Sequence, residues 1–253
     1  MSDRPPLVIQ LAERPDLFPR FHELASVWAP FMGGDPVVQT FREHMEVFSK
    51  YLLVAFDPDE PDRLVARATS IPFRLARGGD APEALPDAGW DQVVRWAAAD
   101  LRAGVEPDTV SALEIAVAPD YLGRGMSPHM VRALRENTRR LGFDTLVAPV
   151  RPNGKHLHPR VPMSEYAYWT RDDGLPHDPW MRVHARLGAT VEGVCPLSMT
   201  VPGTLDQWRT WTGLPFDRSG PVEVPGALVP VDVTIEHDHA VYVEPNVWMR
   251  HKL

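Results

Sequence analysis

The chain has 253 residues, 44% of them apolar, enough for a sizeable core, and 34 acidic against 26 basic residues give a formal net charge of -8. That balance argues against a nucleic-acid surface; the single cysteine, Cys195, excludes an internal disulfide and a cysteine-rich metal site and points to a reducing compartment. No apolar run reaches membrane length and the start Met-Ser-Asp-Arg-Pro-Pro lacks a signal core, so the expectation is a cytoplasmic protein with no membrane partner.

Leu7 to Gln10 reads as an opening strand, and Leu17 to Trp28 as a helix with Phe21, Leu24, Ala25 and Trp28 on one side. Asp35 and Pro36 start a second helix, to about Lys50, whose apolar side holds Val37, Phe41, Met45 and Phe48. Tyr51 to Phe56 and Leu64 to Phe73 predict an antiparallel hairpin around Asp57-Pro-Asp-Glu-Pro-Asp. Ala76 to Gly89 is a Gly/Pro/Asp loop and Trp90 to Ala103 an amphipathic helix.

The stretch from Val110 to Val150 says most about chemistry. An apolar, β-branched run, Val110 to Val117, ends at Pro119 and Asp120; Gly123, Arg124 and Gly125 follow, and a helix starts near Ser127 and Pro128. Met130, Val131, Leu134, Thr138 and Leu141 share one face of that helix, Gly142 closes it, and Phe143 to Val150 is the next strand. A glycine bend before a helix N-terminus turns backbone N–H groups toward an anion, most naturally a phosphate. Neither Gly-x-x-x-x-Gly-Lys-Ser/Thr nor Gly-x-Gly-x-x-Gly is present, which weakens the nucleoside-triphosphate and dinucleotide readings.

Glu114 is a carboxylate inside an otherwise apolar strand, on the face opposite Val117. Burial would raise its proton affinity toward the range of a general base, and a salt bridge to an arginine is the equal rival. Residues 161 to 179, with Tyr166, Trp169 and His177, form a long aromatic insertion expected to shape a pocket. Pro179 to about Leu187 is a helix closed by Gly188, and Ala189 to Val194 and Leu197 to Val201 are strands. Thr204 caps a helix to Thr212, and Leu228 to Glu236 with Ala240 to Met249 read as a terminal β-hairpin that brings Glu244, the alternative to Glu114 as base, with Asn246 and Trp248 to the cleft if it pairs beside the central strands. His237, Asp238 and His239, like His156 and His158, lack the geometry of a metal site, and no metal is expected. Cys195 reads as a small buried side chain and the later tryptophans, taken as exposed, suggest a homodimer.

Val117-Ala-Pro-Asp-Tyr-Leu-Gly-Arg-Gly-Met-Ser resembles the acetyl-CoA signature of the GNAT acyltransferase superfamily, a strand ending in Val-x-Pro that runs into Arg/Gln-x-x-Gly-x-Gly/Ala. Leu122 stands at the Arg/Gln position and Ser127 at the last Gly/Ala position. Trp180-Met-Arg-Val-His-Ala-Arg-Leu-Gly is similar to the family's Tyr-x-x-Leu-Gly-Phe region. By element order the resemblance covers roughly residues 50 to 200.

The resemblance implies an α/β (α+β) fold: a GNAT-like mixed, mostly antiparallel central sheet flanked by helices, one domain over 1–253 with a C-terminal extension from about 201 ending in the hairpin. It implies direct transfer of an acyl group, acetyl above all, from acetyl-CoA as co-substrate to a small-molecule or peptide amine. Backbone amides of Gly123, Arg124, Gly125, Met126 and Ser127 would take the pyrophosphate, the strand end at Val117 and Ala118 would align the pantetheine, and Asn153 would bond its arm or the thioester. His184 stands where many members carry a tyrosine that protonates the departing thiolate; an imidazole can serve the same purpose. Trp28, Phe31 and Met32 become candidate walls of the acceptor pocket, and Arg151, Lys155 and Arg160 a basic cluster for the nucleotide 3′-phosphate. The rivals are a non-catalytic CoA- or small-ligand-binding sensor, an unrelated nucleotide-binding module, and an enzyme using a longer acyl-CoA or a carrier-protein thioester.

Overall fold

A computed structural model describes residues 6–24, 28–60, 62–78 and 84–253. Its strands are β1 (Leu7–Gln10), β2 (Leu52–Phe56), β3 (Leu64–Phe73), β4 (Thr109–Val117), β5 (Thr145–Val150), β6 (Thr190–Gly203), β7 (Gly220–Val222), β8 (Val231–Thr234) and β9 (His239–Lys252). The helices are α1 (Pro36–His44), α2 (Gly89–Ala103), α3 (Met126–Arg140), α4 (Met163–Tyr166), α5 (Pro179–Arg186) and α6 (Leu205–Thr212).

The strands form one mixed, mostly antiparallel sheet in the order β1-β2-β3-β4-β5-β9-β8-β7, with β6 on the other edge of β9. Only β4 and β5 run parallel. All ten residues of β3 are buried, because one face carries α3 and the other the N-terminal segment with α1 and α2. The expected fold class and terminal β8–β9 hairpin are both present. Residues 201–253 are not an appendage, however: β9 sits inside the sheet between β5 and β6.

Helix ends follow local chemistry. Asp35 caps α1 by accepting from the Val37 N–H at 2.8 Å. Gly104, at φ 64°, closes α2, and Thr204 with Gln207 forms a capping box on α6.

Four expectations need correction. The helix over 17–28 is a pair of 3-10 turns, Pro15–Leu17 and Pro19–His22, since each proline removes a donor and restarts the chain; Ala25 lies outside the described residues, as do 79–83 of the loop before α2. The second helix stops at His44 rather than Lys50. The strands at 189–194 and 197–201 are one strand, β6, whose register slips between Cys195 and Met199, around Pro196. Finally, α3 begins at Met126, not Pro128, because Gly125 adopts φ 77° and lets the chain turn into the helix early.

Candidate active site

β4 and β5 pair only through Val110 with Leu146 and Ser111 with Val147, and then part. The neighbours of each strand hold them apart. β4 stays bonded to β3 as far as Val117, and Leu113 is an extra residue between Glu114 opposite Thr69 and Ala112 opposite Ser70, a bulge that bends the strand. β5 stays with β9 as far as Val150 opposite Val247. The wedge between them is a cavity of about 220 Å³. Because N–H groups alternate along a strand and that of Ala118 donates to the Val65 carbonyl at 2.8 Å, those of Ile115 and Val117 face the wedge.

The glycine bend lies at the mouth. Gly123 and Gly125 have φ of 75° and 77°, and a Cβ built at either would meet nothing within 4 Å, so the bend is open. Met126 and Ser127 are the first two residues of α3; their N–H groups have no intrahelical acceptor, and Pro128 has none to offer. Leu122 and Ser127 border the cavity. The fit to a diphosphate is therefore one of backbone donors, open space and the positive end of a 15-residue helix.

Of the residues expected from sequence, Glu114, Val117, Ser127, Asn153 and His184 all border this one cavity. Gly123, Arg124, Gly125 and Met126 form the bend beside it; the Arg124 guanidinium lies over the Tyr121 ring at 5.4 Å, and the Met126 side chain is in the core beneath. Ala118 is turned away, its N–H spent on β3. Trp28 is a wall, whereas Phe31 and Met32 are buried core.

Glu114 is ion-paired. Arg67 reaches its Oε2 at 3.0 Å and 3.2 Å and also donates to the carbonyls of Phe21 and Leu24, so the arginine ties the N-terminal segment to the carboxylate. Of the two readings of Glu114 left open by the sequence, the salt bridge to an arginine is present, and the carboxylate still borders the cavity. His184 is 3% exposed; its Nδ1 lies 3.0 Å from His251 Nε2, and the Trp180 ring meets it edge-on at 4.6 Å. Burial, and then the neighbouring His251, push its pKa down to about 3, so the imidazole is neutral at physiological pH. That depression disfavours a resident imidazolium, and the ring borders the cavity with its Nδ1 turned to His251.

Opposite β4 the cavity is closed by a polar chain that the sequence hinted at only through Glu244 and Asn246. Arg151 Nε donates to Glu244 at 2.9 Å and 3.1 Å, Tyr242 Oη at 2.8 Å and Asn246 Nδ2 at 3.1 Å. Ser198 Oγ donates to Asn246 Oδ1 at 2.6 Å and accepts from the Trp90 N–H at 3.0 Å, which fixes the start of α2 against β6. Glu244, fully buried, has its oxygens occupied by these donors. This chain gives α2 its place: it carries Trp90 to the cavity wall.

Three further expectations are not met, each for its own reason. Arg151 is held by Glu244 and the Gly226 carbonyl, buried Lys155 by the carbonyls of His158 and Leu228, and Arg160 by Glu223, so they do not form a phosphate site. The insertion at 161–179 packs on itself, with Trp169 against Tyr166, His158 and His177, and borders no part of the wedge. The later tryptophans are buried or half-buried, which removes the basis for a homodimer. Cys195 is buried and its thiol is pushed up to about 12 by that burial. Among the described residues no group of three or more His, Cys, Asp or Glu could hold a metal ion, and no helix is long and apolar enough to cross a membrane.

A parallel strand pair that splays, beside a glycine bend and a helix N-terminus, makes a cleft with open backbone donors suited to an anion and an extended arm. No family model matches the chain. An arginine N-acetyltransferase, avaD, of Aspergillus versicolor is 32% identical over 96% of this chain and 92% of its own length. The loading GNATL domain of CurA from Lyngbya majuscula shares the fold, with a TM-score of 0.59 over 98% of each chain at 13% identity. The chain belongs to the GNAT superfamily of N-acetyltransferases and is an acyltransferase enzyme.

Proposed function

We propose that this enzyme transfers an acetyl group from acetyl-CoA to a nitrogen of a small, arginine-like acceptor by direct attack. The observation that carries the reading is the unpaired edge of β4 facing the wedge, next to the open bend at residues 123–127. Acetyl-CoA supplies the activated acyl group, a thioester. The N–H groups of Gly123, Gly125, Met126 and Ser127 hold its diphosphate, that of Arg124 being given to the Tyr121 carbonyl; those of Ile115 and Val117 align its arm, and Asn153 hydrogen-bonds it from the far side of the mouth.

Glu114 is the carboxylate shared by the wedge and a second cavity beside it, which Trp28 and Trp90 also border. It orients the incoming nitrogen and takes the proton that nitrogen loses as the new N–C bond forms and the C–S bond breaks. The thiolate is protonated from water, and neutral His184 offers its sulfur a hydrogen bond at most. The whole chain acts as one domain, since β9 supplies Glu244 and Asn246 to the same wall. The arginine N-acetyltransferase relative supports the acceptor class.

Free-thiol release from acetyl-CoA, followed across L-arginine, agmatine, spermidine and tryptamine, tests the reading. Thiol release with formation of the N-acetyl product is expected for a guanidino or amino acceptor, and a strong loss in Glu114→Gln. Tight acetyl-CoA binding without release for any acceptor would leave a ligand-binding sensor instead.

A further inference from the structure

The second cavity, about 230 Å³, opens off the wedge past Trp28, Trp90 and Glu114 and runs beneath α1. Its walls are largely aromatic and aliphatic, Phe21, Trp28, Phe41 and Met45 among them. Two buried polar atoms of this lining have no partner, and one exposed cation of the lining is unpaired. Thr69 Oγ1 and Trp90 Nε1, on residues only 2% exposed, have no hydrogen-bond partner. Arg42, an exposed residue of α1 that lines the cavity, makes no side-chain ion pair or hydrogen bond among the described residues; its neighbour Glu43 accepts from Gln39 instead.

A buried polar group without a partner is costly, and two beside one cavity call for a ligand that satisfies both. The indole N–H only donates, and a threonine hydroxyl can donate. The guanidinium donates and is positive. Arg67, the other cation of this lining, is engaged by Glu114 and two carbonyls. Two idle donors and one idle cation match an oxyanion, while the carboxylate at the junction, Glu114, favours the nitrogenous end of an acceptor on the wedge side.

Resting on the acceptor reading above, we propose that this cavity is a carboxylate-recognition subsite: Arg42, with Trp90 Nε1–H and the Thr69 hydroxyl, binds the carboxylate of an amino-acid acceptor whose nitrogen points into the wedge. Recognition of this kind selects an amino acid over its decarboxylated amine, because the amine leaves the same donors unpaired.

L-arginine and agmatine differ by that carboxylate alone, and the ratio of their kcat/KM values reads the subsite. The wild type is expected to prefer L-arginine by tenfold or more, mainly through KM. Arg42→Ala, at an exposed position that leaves the fold intact, is expected to reduce the ratio at least tenfold, with Arg42→Lys between. No wild-type preference, or a ratio unchanged in Arg42→Ala, overturns the proposal. Thermal shifts read the subsite without turnover: L-arginine is expected to raise Tm more than agmatine in the wild type and not in Arg42→Ala. If neither compound is acetylated, the acceptor reading fails, and the thermal shifts alone then decide the subsite, equal shifts for the two compounds overturning it.

Discussion

Trp28 and Trp90 meet edge to face, 5.6 Å between ring centroids, at the junction of the two cavities. One comes from the segment before α1 and the other from the first turn of α2, so the gap between them depends on both docking correctly. Trp90 is buried and bonded through its backbone to Ser198. Truncation to alanine removes a large core ring and is expected to cost about 3–5 kcal/mol, read as a lowered denaturation midpoint. In the fraction that folds, the acceptor KM rises more than the acetyl-CoA KM.

The Arg67–Glu114 pair is buried on both sides, at 7% and 10% side-chain exposure. Glu114→Gln strands the guanidinium, and a loss of about 3–5 kcal/mol is expected in chemical denaturation. Adding Arg67→Met removes the stranded charge, so the double variant recovers stability. Activity stays low in both, because the carboxylate that receives the proton is gone. Recovery of activity in the double variant would show that Glu114 serves only the fold.

Acid sensitivity follows from the His184–His251 contact. Burial first, and then a neighbouring positive charge, from His251 on one and Arg135 on the other, hold them at about 3 and about 4, against about 6.5 in an unfolded chain. The unfolded chain takes up protons below pH 6.5 that the folded chain refuses. Their contribution to stability is therefore full above pH 6.5 and is lost as pH falls toward 4 and 3. Denaturation midpoints at pH 7, 5.5 and 4.5 should decline steadily, and His184→Gln should flatten that decline.

Gly125 isolates the anion site from the fold. Its φ of 77° is unfavourable for an L side chain, yet nothing stands within 4 Å of an added Cβ. Gly125→Ala is expected to cost about 1–2 kcal/mol of stability. The acetyl-CoA KM should rise several-fold while the acceptor KM moves little, as steady-state kinetics with each substrate varied would show.

The strand, bend and helix from residue 109 to 140 were legible in sequence because their signals are local: proline, glycine and a β-branched run within a few residues. The terminal hairpin and the helix before Gly188 were legible for the same reason. What escaped depends on distant partners. Arg67 and Glu114 are 47 residues apart, and Trp90 meets Ser198 across 108. Nothing in either local sequence announces the partner. Expecting a phosphate site at Arg151, Lys155 and Arg160 failed likewise, since apart from the His158 carbonyl on Lys155 the groups that occupy them come from the chain after Gly220. The bulge at Leu113, which opens the wedge, depends on the β3–β4 register and has no signature in β4 alone.

A crystal structure with CoA bound measures the central claim most directly. Diphosphate oxygens are expected within about 3.2 Å of backbone nitrogens between Gly123 and Ser127, with the sulfur in the wedge between β4 and β5 beside Glu114. A diphosphate bound elsewhere, or a sulfur outside the wedge, would contradict the account.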